Sequence, residues 1–181
     1  MHRPPFVVVS GLPASGKTTV ARPLARALGL PLISKDAIKE ALFDTLGFGD
    51  RERSKTLSRA ADAVMVRVAQ GLNAAVLDNF WHAETASELL APLSGPMIEV
   101  FCSCDPDVAL ARFRSRDRHP GHVDHLLDPD VARADFVHRL DQLPLGLVGP
   151  VIQVDTEQPV DIDALAARVL SLGRRPTARR R

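Results

Sequence analysis

Short apolar runs alternate along the chain with longer stretches of helical periodicity. The apolar runs are typical of strands buried in a parallel sheet, and they cover residues 6–10, 32–34, 74–77, 97–102 and 151–155. The stretches between them repeat apolar residues every three or four positions, as helices do, and they cover residues 18–28, 36–42, 52–70, 83–90, 106–118, 131–140 and 162–172. This alternation predicts an α/β fold with a five-stranded parallel sheet and helices on both faces.

The longest helical stretch, residues 52–70, also indicates which of its sides faces the core. Its apolar residues form one stripe, so we expect these side chains to be buried: Leu57, Ala60, Ala61, Val64 and Val68. Residues 119–130 lack such a stripe and contain Pro120 and Gly121, so they are predicted to form a loop.

The composition is that of an ordinary one-domain globular protein. A chain of 181 residues, 45% hydrophobic and 25% charged, suffices for one well-buried core, which we place in residues 1–173. No apolar stretch approaches the ~20 residues that span a bilayer, and the first residues do not form a secretory signal. We therefore expect a cytoplasmic protein. Cys102 and Cys104 would leave opposite faces of a strand, so we interpret them as packing residues.

A formal charge of +1 conceals an acidic body. Five of the 23 basic residues are arginines in the segment 174–181, so residues 1–173 carry 18 basic and 22 acidic residues, a charge of −4. Proteins whose affinity rests on neutralising many phosphates are instead strongly basic, which makes nucleic acid a disfavoured partner. We interpret residues 174–181 as a solvated, disordered tail, with a nucleic-acid-binding arm as the alternative.

Residues 11–18 fit the phosphate-binding pattern G-x-x-x-x-G-K-[ST], here called the P-loop. The pattern lies between the first predicted strand and the first helix, where backbone N–H groups and the helix N-terminus can surround an anion. Lys17 would reach the β- and γ-phosphates of a nucleotide, and the Thr18 hydroxyl would help to hold Mg²⁺. The predicted nucleotide-binding residues are Gly11, Pro13, Ala14, Ser15, Gly16, Lys17, Thr18 and Thr19.

Asp36 lies at the carboxyl end of the second predicted strand, where ligands of open α/β sheets gather. A carboxylate at this place can accept the proton of an attacking hydroxyl, or orient that hydroxyl, during phosphoryl transfer. Aspartate is also a favoured helix cap, and both roles are compatible with the position.

The chain resembles the small P-loop kinases typified by polynucleotide kinase, chloramphenicol phosphotransferase, zeta-type toxins and gluconate kinase. The matching parts are the P-loop, residues 33–39, residues 77–79 and the arginines of residues 112–118. The resemblance covers most of the chain. It implies the three-layer fold of P-loop NTPases with a small helical lid, as in nucleoside-monophosphate kinases, and it implies ATP and Mg²⁺ as cofactors. Such kinases complete the site within one chain, so a monomer or a homodimer is expected.

The resemblance also implies roles for individual residues. The position matched by Asp36 is the general base, and the position matched by Lys39 is often an arginine that contacts phosphate or substrate in polynucleotide kinases. The lid would cover residues 112–130, with Arg112 and Arg116 as its catalytic arginines and Arg118 in reserve. The segment 119–127 is similar to the Gly-His lid of gluconate kinases, which places His122 near the acceptor, and residues 155–157 would lie near the adenine.

The spacing of the basic residues predicts their arrangement if the helix runs to residue 118. Arg112 and Arg116 would then share one face, and Arg114 and Arg118 the neighbouring face. Such pairs repel until a triphosphate supplies the opposite charge, and a merely solvated basic face is the alternative. The spacing of His119, His122 and His125 also fits a transition-metal site, a hypothesis that Pro120 and Gly121 disfavour.

Asp78 ends the third predicted strand and is a candidate for holding Mg²⁺ or orienting the acceptor, with Asn79 beside it. Phe80, Trp81 and His82 would either wall an acceptor pocket or cover the sheet.

These features predict ATP-dependent transfer of the γ-phosphoryl group to a hydroxyl of a small acceptor such as a sugar, nucleoside or antibiotic. A polynucleotide 5′-hydroxyl kinase, a nucleotide-sugar kinase like the zeta toxins and a non-catalytic nucleotide-dependent switch remain as alternatives. The proposed acceptor-side residues are Asp36, Lys39, Asp78, Asn79, Arg118 and His122.

Overall fold

The strands form one parallel sheet in a computed structural model that describes residues 4–123 and 128–173. In chain order they are β1 (Phe6–Gly11), β2 (Leu32–Ser34), β3 (Val76–Asp78), β4 (Met97–Ser103) and β5 (Val151–Asp155). Their spatial order is β2-β3-β1-β4-β5, and every neighbouring pair is parallel. The α/β fold with five parallel strands is therefore confirmed. The predicted tail, residues 174–181, and residues 124–127 of the predicted lid lie outside the described residues.

The helices connect the strands at nearly the predicted positions. They are α1 (Lys17–Leu28), α2 (Lys35–Leu46), α3 (Arg51–Gln70), α4 (Ala83–Leu90), α5 (Pro106–Ser115), α6 (Pro129–Leu140) and α7 (Ile162–Gly173). In the part of the chain that the structure describes, no helix combines the length and the apolar character that crossing a membrane requires.

The alternation of side chains along β1 explains why helices cover both faces of the sheet. Val7 and Val9 pack with α1 and α7 on one face, whereas Phe6 and Val8 pack with α3 and α4 on the other. Because successive strand residues point to opposite faces, a wholly apolar strand needs a helical layer on each side. This gives the three layers expected for the fold.

The buried side of α3 differs from the predicted one. Leu57 and Ala61 are buried as expected, but Val64 and Val68 are 42% and 49% exposed. The buried stripe instead continues through Met65 and Ala69. Ala60, also predicted to be buried, is exposed. The small side chains of Ala61 and Ala69 let the helix approach its neighbours closely on the buried stripe.

The helix predicted to run to residue 118 ends at Ser115. Arg116 is extended, with φ −78° and ψ 137°, so the prediction that Arg112 and Arg116 share one helical face is wrong, as is the prediction for Arg114 and Arg118. Four arginines at alternate positions weaken a helix by mutual repulsion. The chain leaves the helix here, and Arg118 reaches Asp36 on α2.

Polar residues at or just after the ends of three neighbouring strands lie together at one edge of the sheet. The strands run parallel, and β2, β3 and β1 are neighbours, so the residues that follow or end them converge. These are Asp36 after β2, Asp78 at the end of β3 and the P-loop after β1.

Candidate active site

The P-loop adopts a backbone that its glycines permit. Gly11 and Gly16 have φ values of 140° and 86°, which L side chains rarely adopt. A Cβ on Gly11 would lie 2.5 Å from the carbonyl oxygen of Cys102, so the loop passes close to β4 at this residue. Ala14 also has a positive φ of 58°, an uncommon conformation for a residue with a side chain. The loop is therefore held in a conformation of higher energy, as phosphate-binding turns are.

Lys17 is buried beneath the loop and donates hydrogen bonds to its carbonyl groups. The distances from Nζ to the oxygens of Gly11 and Leu12 are 3.1 and 2.6 Å. Burial lowers the pKa of Lys17 to about 8, against the opposing effect of Asp78. The ammonium group is therefore poised to gain from a nearby anion, which would favour its charged form.

Thr18 and Asp78 form the most direct contact between α1 and β3 at the site. Thr18 Oγ1 donates to Asp78 Oδ2 over 2.8 Å. Burial raises the pKa of Asp78, while the Thr18 hydroxyl and the Lys17 charge act in the opposite direction. A hydroxyl and a carboxylate, both oxygen donors, suit Mg²⁺.

Asp36 lies in the first turn of α2 and accepts a hydrogen bond from Arg118 Nη2 over 2.8 Å. Burial by itself raises the pKa of Asp36, but Arg118, followed by Lys35, His122 and Lys17, outweighs burial, so its pKa lies below the ordinary value. The carboxylate is thus ionised at neutral pH, and it faces the cation-lined part of the site.

Three carboxylates spaced four residues apart on α2 bind the segment 118–122. Besides the contact between Asp36 and Arg118, the Nε2 atoms of His122 and His119 lie 3.0 Å from Oε1 of Glu40 and Oδ1 of Asp44. Burial lowers the pKa of His122, and Arg118 adds to this, against Asp36 and Glu40. Glu40 was not predicted as a site residue, although its spacing from Asp36 places it on the same face of the helix.

The turn at Gly121 packs directly on α2. A Cβ on Gly121 would lie 2.5 Å from the Phe43 ring, and the His119 ring stacks on the same phenyl ring with centroids 5.2 Å apart. Ser54 on α3 donates to the carbonyl oxygen of Gly121 over 3.2 Å. His125, the third histidine of the spacing considered for a metal, lies outside the described residues.

Lys39 follows Lys35 on the buried side of α2. Its Nζ donates to the Ser54 hydroxyl over 3.0 Å and lies 5.1 Å from the centroid of the Phe43 ring. Lys39, which was predicted to lie at the acceptor site, thus also contacts α3.

Arg112 and Arg116 both reach the cavity that the P-loop lines, despite the early end of α5. Arg112 Nη2 donates to the Thr156 carbonyl oxygen over 3.3 Å, and the Arg116 guanidinium carbon lies 4.8 Å from the centroid of the Phe113 ring. Thr156, which was expected near the adenine, also lies 3.4 Å from where a Cβ of Gly16 would be.

Of the residues that follow β3, some lie at the site and others are buried in the core. Asn79 donates from Nδ2 to Asp62 Oδ1 over 2.9 Å. Trp81 is buried and donates from its indole nitrogen to the Val9 carbonyl oxygen over 2.9 Å, so it covers the sheet rather than the acceptor. Phe80 lines the cavity described next.

One cavity of about 780 Å³ joins most of the predicted residues. Its wall includes Pro13, Ala14, Gly16, Lys17, Thr18, Thr19, Asp36, Lys39, Asp78, Asn79, Arg112, Arg116, Arg118 and His122. Gly11 and Ser15 are buried beneath this surface, where the Gly11 carbonyl oxygen supports Lys17. The volume is ample for a nucleotide together with a small acceptor.

The cavity wall also contains residues that were not predicted from the sequence. Lys35 and Ser58 line it from α2 and α3, Asp135 and Arg139 from α6, and Gln158 follows β5. Lys35 directly precedes Asp36, so its position was visible in the sequence. Arg139 carried no such signal, because only the packing of α6 brings it to the site.

Comparison with known proteins places this geometry among phosphotransferases. The sequence model of the family described as AAA domain matches residues 6–134. A presumed kinase from Chloroflexus aurantiacus j-10-fl has 33% sequence identity and a TM-score of 0.80, with 94% of this chain and 98% of that chain covered. A gluconokinase from Sinorhizobium meliloti 1021 shares the fold, with 22% identity, a TM-score of 0.62 and 94% of each chain covered.

The adenylyl-sulfate kinase of Bacillus velezensis is 28% identical over 119 residues. This match covers 61% of the present chain and 59% of that protein. The chain thus aligns with about three fifths of the length of this curated relative. The resemblance to small P-loop kinases inferred from the motifs is confirmed.

Proposed function

Because the chain belongs to the AAA domain family, we propose that it is an ATP-dependent kinase that phosphorylates a hydroxyl group of a small-molecule acceptor. The observation that carries the proposal is the single cavity that Lys17, Thr18, Asp78 and Asp36 share. Phosphoryl transfer requires a donor and an acceptor side by side, with charge stabilisation between them. A cavity that opened only on the P-loop would have suited a nucleotide-binding switch equally well.

The donor half of the cavity would hold the triphosphate. Backbone N–H groups of the P-loop and the start of α1 would surround its phosphates, and Lys17 would shift from the loop carbonyls to the phosphate oxygens. Arg112 and Arg116 would approach from the opposite wall and stabilise the charge of the transferring group. Thr18 and Asp78 would hold Mg²⁺, which supplies further positive charge when it is bound.

The acceptor half would position the hydroxyl on Asp36. The carboxylate would accept the hydroxyl proton while the new phosphorus–oxygen bond forms and the bond to the departing ADP oxygen breaks. An ionised carboxylate is required for this role, and the positive charge of Arg118 favours that form. Lys39, Asn79, Arg118 and His122 line the same part of the wall and would contact the acceptor.

The test is a panel of sugars, nucleosides, hydroxy acids and antibiotics incubated with ATP and Mg²⁺, in which ADP and the mass of each product are measured. We expect at least one acceptor to gain a phosphoryl group and to accelerate ADP formation over the acceptor-free control. Asp36→Asn should bind ATP normally and lose about 10²-fold or more in turnover, the usual contribution of a general base.

Full transfer by Asp36→Asn would contradict the role of Asp36. If no acceptor accelerated ADP formation and nucleotide exchange altered the affinity for another protein, the function would instead be that of a nucleotide-dependent switch.

A further inference from the structure

The buried side of α2 carries two lysines where an amphipathic helix would have apolar residues. Positions 35, 39 and 43 follow one another at four-residue steps, and Lys35, Lys39 and Phe43 are the buried residues of this helix. Lysine is rarely buried unless it is paired. Two like charges at this spacing also repel each other by a few tenths of a kcal/mol in an isolated helix, as a rough guide. A buried pair of this kind indicates a requirement for positive charge.

Lys35 stands out among these side chains. It is 7% exposed, and it lines the cavity. Within residues 4–123 and 128–173, its ammonium group makes no hydrogen bond or ion pair, although its charge acts on the neighbouring Asp36. Since a buried charge is stabilised by direct hydrogen bonds, the side chain is suited to an anion supplied from outside the protein.

Arg139 provides a second cation on the same wall. Its Nε donates to Asp135 Oδ2 over 2.6 Å, and its Nη1 lies 3.3 Å from His82 Nδ1. The guanidinium carbon lies 4.7 Å from the centroid of the Phe80 ring. These contacts fix the planar group on α6, and a fixed guanidinium favours recognition of a carboxylate, sulfate or phosphate.

The charges of Lys35 and Arg139 both affect the His82 ring. Burial lowers the pKa of His82, and the charges of Arg139 and Lys35 lower it further, against Asp62 and Asp135. Lys35 and Arg139 therefore both lie close enough to His82 to act on its ring, and both line the same cavity.

The separation between Lys17 of the P-loop and Arg139 is short enough for one small molecule to span. The centroid of the Phe80 ring is 5.9 Å from Lys17 Nζ and 4.7 Å from the Arg139 guanidinium carbon. Lys17 and Arg139 therefore lie no further apart than these two distances placed end to end. A polyol can span that interval with one end at the transferred phosphoryl group and the other at Arg139.

We propose that the acceptor carries an anionic group that binds between Lys35 and Arg139 while its reacting hydroxyl contacts Asp36. This inference rests on the proposed kinase function and specifies its substrate class as hydroxy acids or their sulfate or phosphate counterparts. Lys35 and Arg139 are then specificity-determining residues.

The first experiment measures sulfate binding by calorimetry after Mg²⁺ and a non-hydrolysable ATP analogue have saturated the P-loop. We expect the wild-type protein to bind sulfate, and Lys35→Gln and Arg139→Gln to weaken that binding about 10-fold or more. Lys35→Arg should restore most of it. Lys55→Gln and Arg133→Gln are matched controls, because both side chains are exposed and form surface ion pairs, so binding should remain within about twofold.

Absence of sulfate binding by the saturated wild-type protein would overturn the inference, as would unchanged binding by Lys35→Gln. Thermal unfolding of each variant shows whether it is folded, and the Lys35→Arg variant separates charge from packing.

The second experiment compares the turnover of gluconate and sorbitol, which share a polyol chain and differ in the carboxylate. If either is phosphorylated, gluconate should be preferred, and Lys35→Gln should raise its KM about 10-fold with little change in kcat. Equal turnover of sorbitol would overturn the anionic class while supporting the kinase. Sulfate binding that depends on Lys35, with no acceptor phosphorylated in any panel, would instead count against the proposed function.

Discussion

The donor and acceptor halves of the cavity are built in different ways. The donor half comes chiefly from one continuous segment, residues 11–19, whose main chain would supply most of the phosphate-binding groups. The acceptor half is assembled from side chains of α2, the end of β3, the segment 118–122 and α6. A site built from main-chain groups requires one particular backbone conformation. A site built from side chains of separate elements can change one residue at a time without changing the backbone. The comparison suggests that the donor half fixes the reaction and the acceptor half selects the substrate.

The largest effect is expected in the donor half. Lys17→Ala removes the ammonium group that would contact the phosphates, so turnover should fall by at least about 10³-fold and ATP binding should weaken. Direct nucleotide binding and steady-state kinetics measure the two effects separately. Wild-type turnover in this variant would show that the buried lysine is only a structural part of the loop.

An intermediate effect is expected where the segment 118–122 meets the acceptor half. Arg118→Gln removes the cation that lowers the pKa of Asp36, so that pKa should rise and the acid limb of the pH–activity profile should move to higher pH. Loss of positioning should lower kcat/KM by about 10-fold or more. Arg133→Gln, on an exposed ion pair, is the control. An unshifted acid limb would mean that Asp36 is not the group that titrates.

A smaller effect should follow from pH alone. Lys17 loses its proton as pH rises through about 8, so the ATP affinity of the free protein should decline above that value. The stability of the free protein should change in the opposite direction. The unfolded lysine keeps its proton at a pH where the folded one has lost it, so the free energy of unfolding rises with pH between about 8 and about 10.5.

Both trends can be checked by calorimetry and by chemical unfolding across this range. Lys17→Met should remove the stability trend. An ATP affinity that stayed constant would show that Lys17 is charged throughout.

The smallest effect concerns the packing of Gly121 on Phe43. In Gly121→Ala the new methyl group would collide with the ring, and the free energy of unfolding should fall by about 1–3 kcal/mol. Gly49→Ala is the control, because its Cβ would make only ordinary contacts at 3.7 Å with Arg53. That variant should be unchanged or slightly more stable. Equal stability of the two variants would indicate that the segment 118–122 moves away from α2 in solution.

The sequence predicts the donor half better than the acceptor half for a physical reason. The P-loop is recognisable because its chemistry depends on consecutive residues, and strand ends locate Asp36 and Asp78 without further information. The lid arginines were expected on one helical face, yet α5 ends at Ser115 and Arg118 beyond it binds Asp36 on α2. Such long-range contacts override local periodicity.

Other residues of the acceptor half show the same limit. Lys39 was expected near the acceptor only through the resemblance, and Lys35 was given no role from the sequence, so the burial of both is a result of the packed structure. Arg139 is one of several arginines in the sequence, and the orientation of α6 brings it to the cavity. Residues whose role depends on tertiary packing leave no pattern along the chain.

The most direct test of the central claim follows the γ-phosphoryl group itself. ATP labelled with ¹⁸O in its γ-phosphate is incubated with Mg²⁺, the wild-type protein and the acceptor panel, and mass spectrometry measures how the label divides between product and inorganic phosphate. A cavity that joins donor and acceptor predicts that most of the label appears on an acceptor hydroxyl. Label found only in inorganic phosphate, whatever acceptor is present, would contradict it.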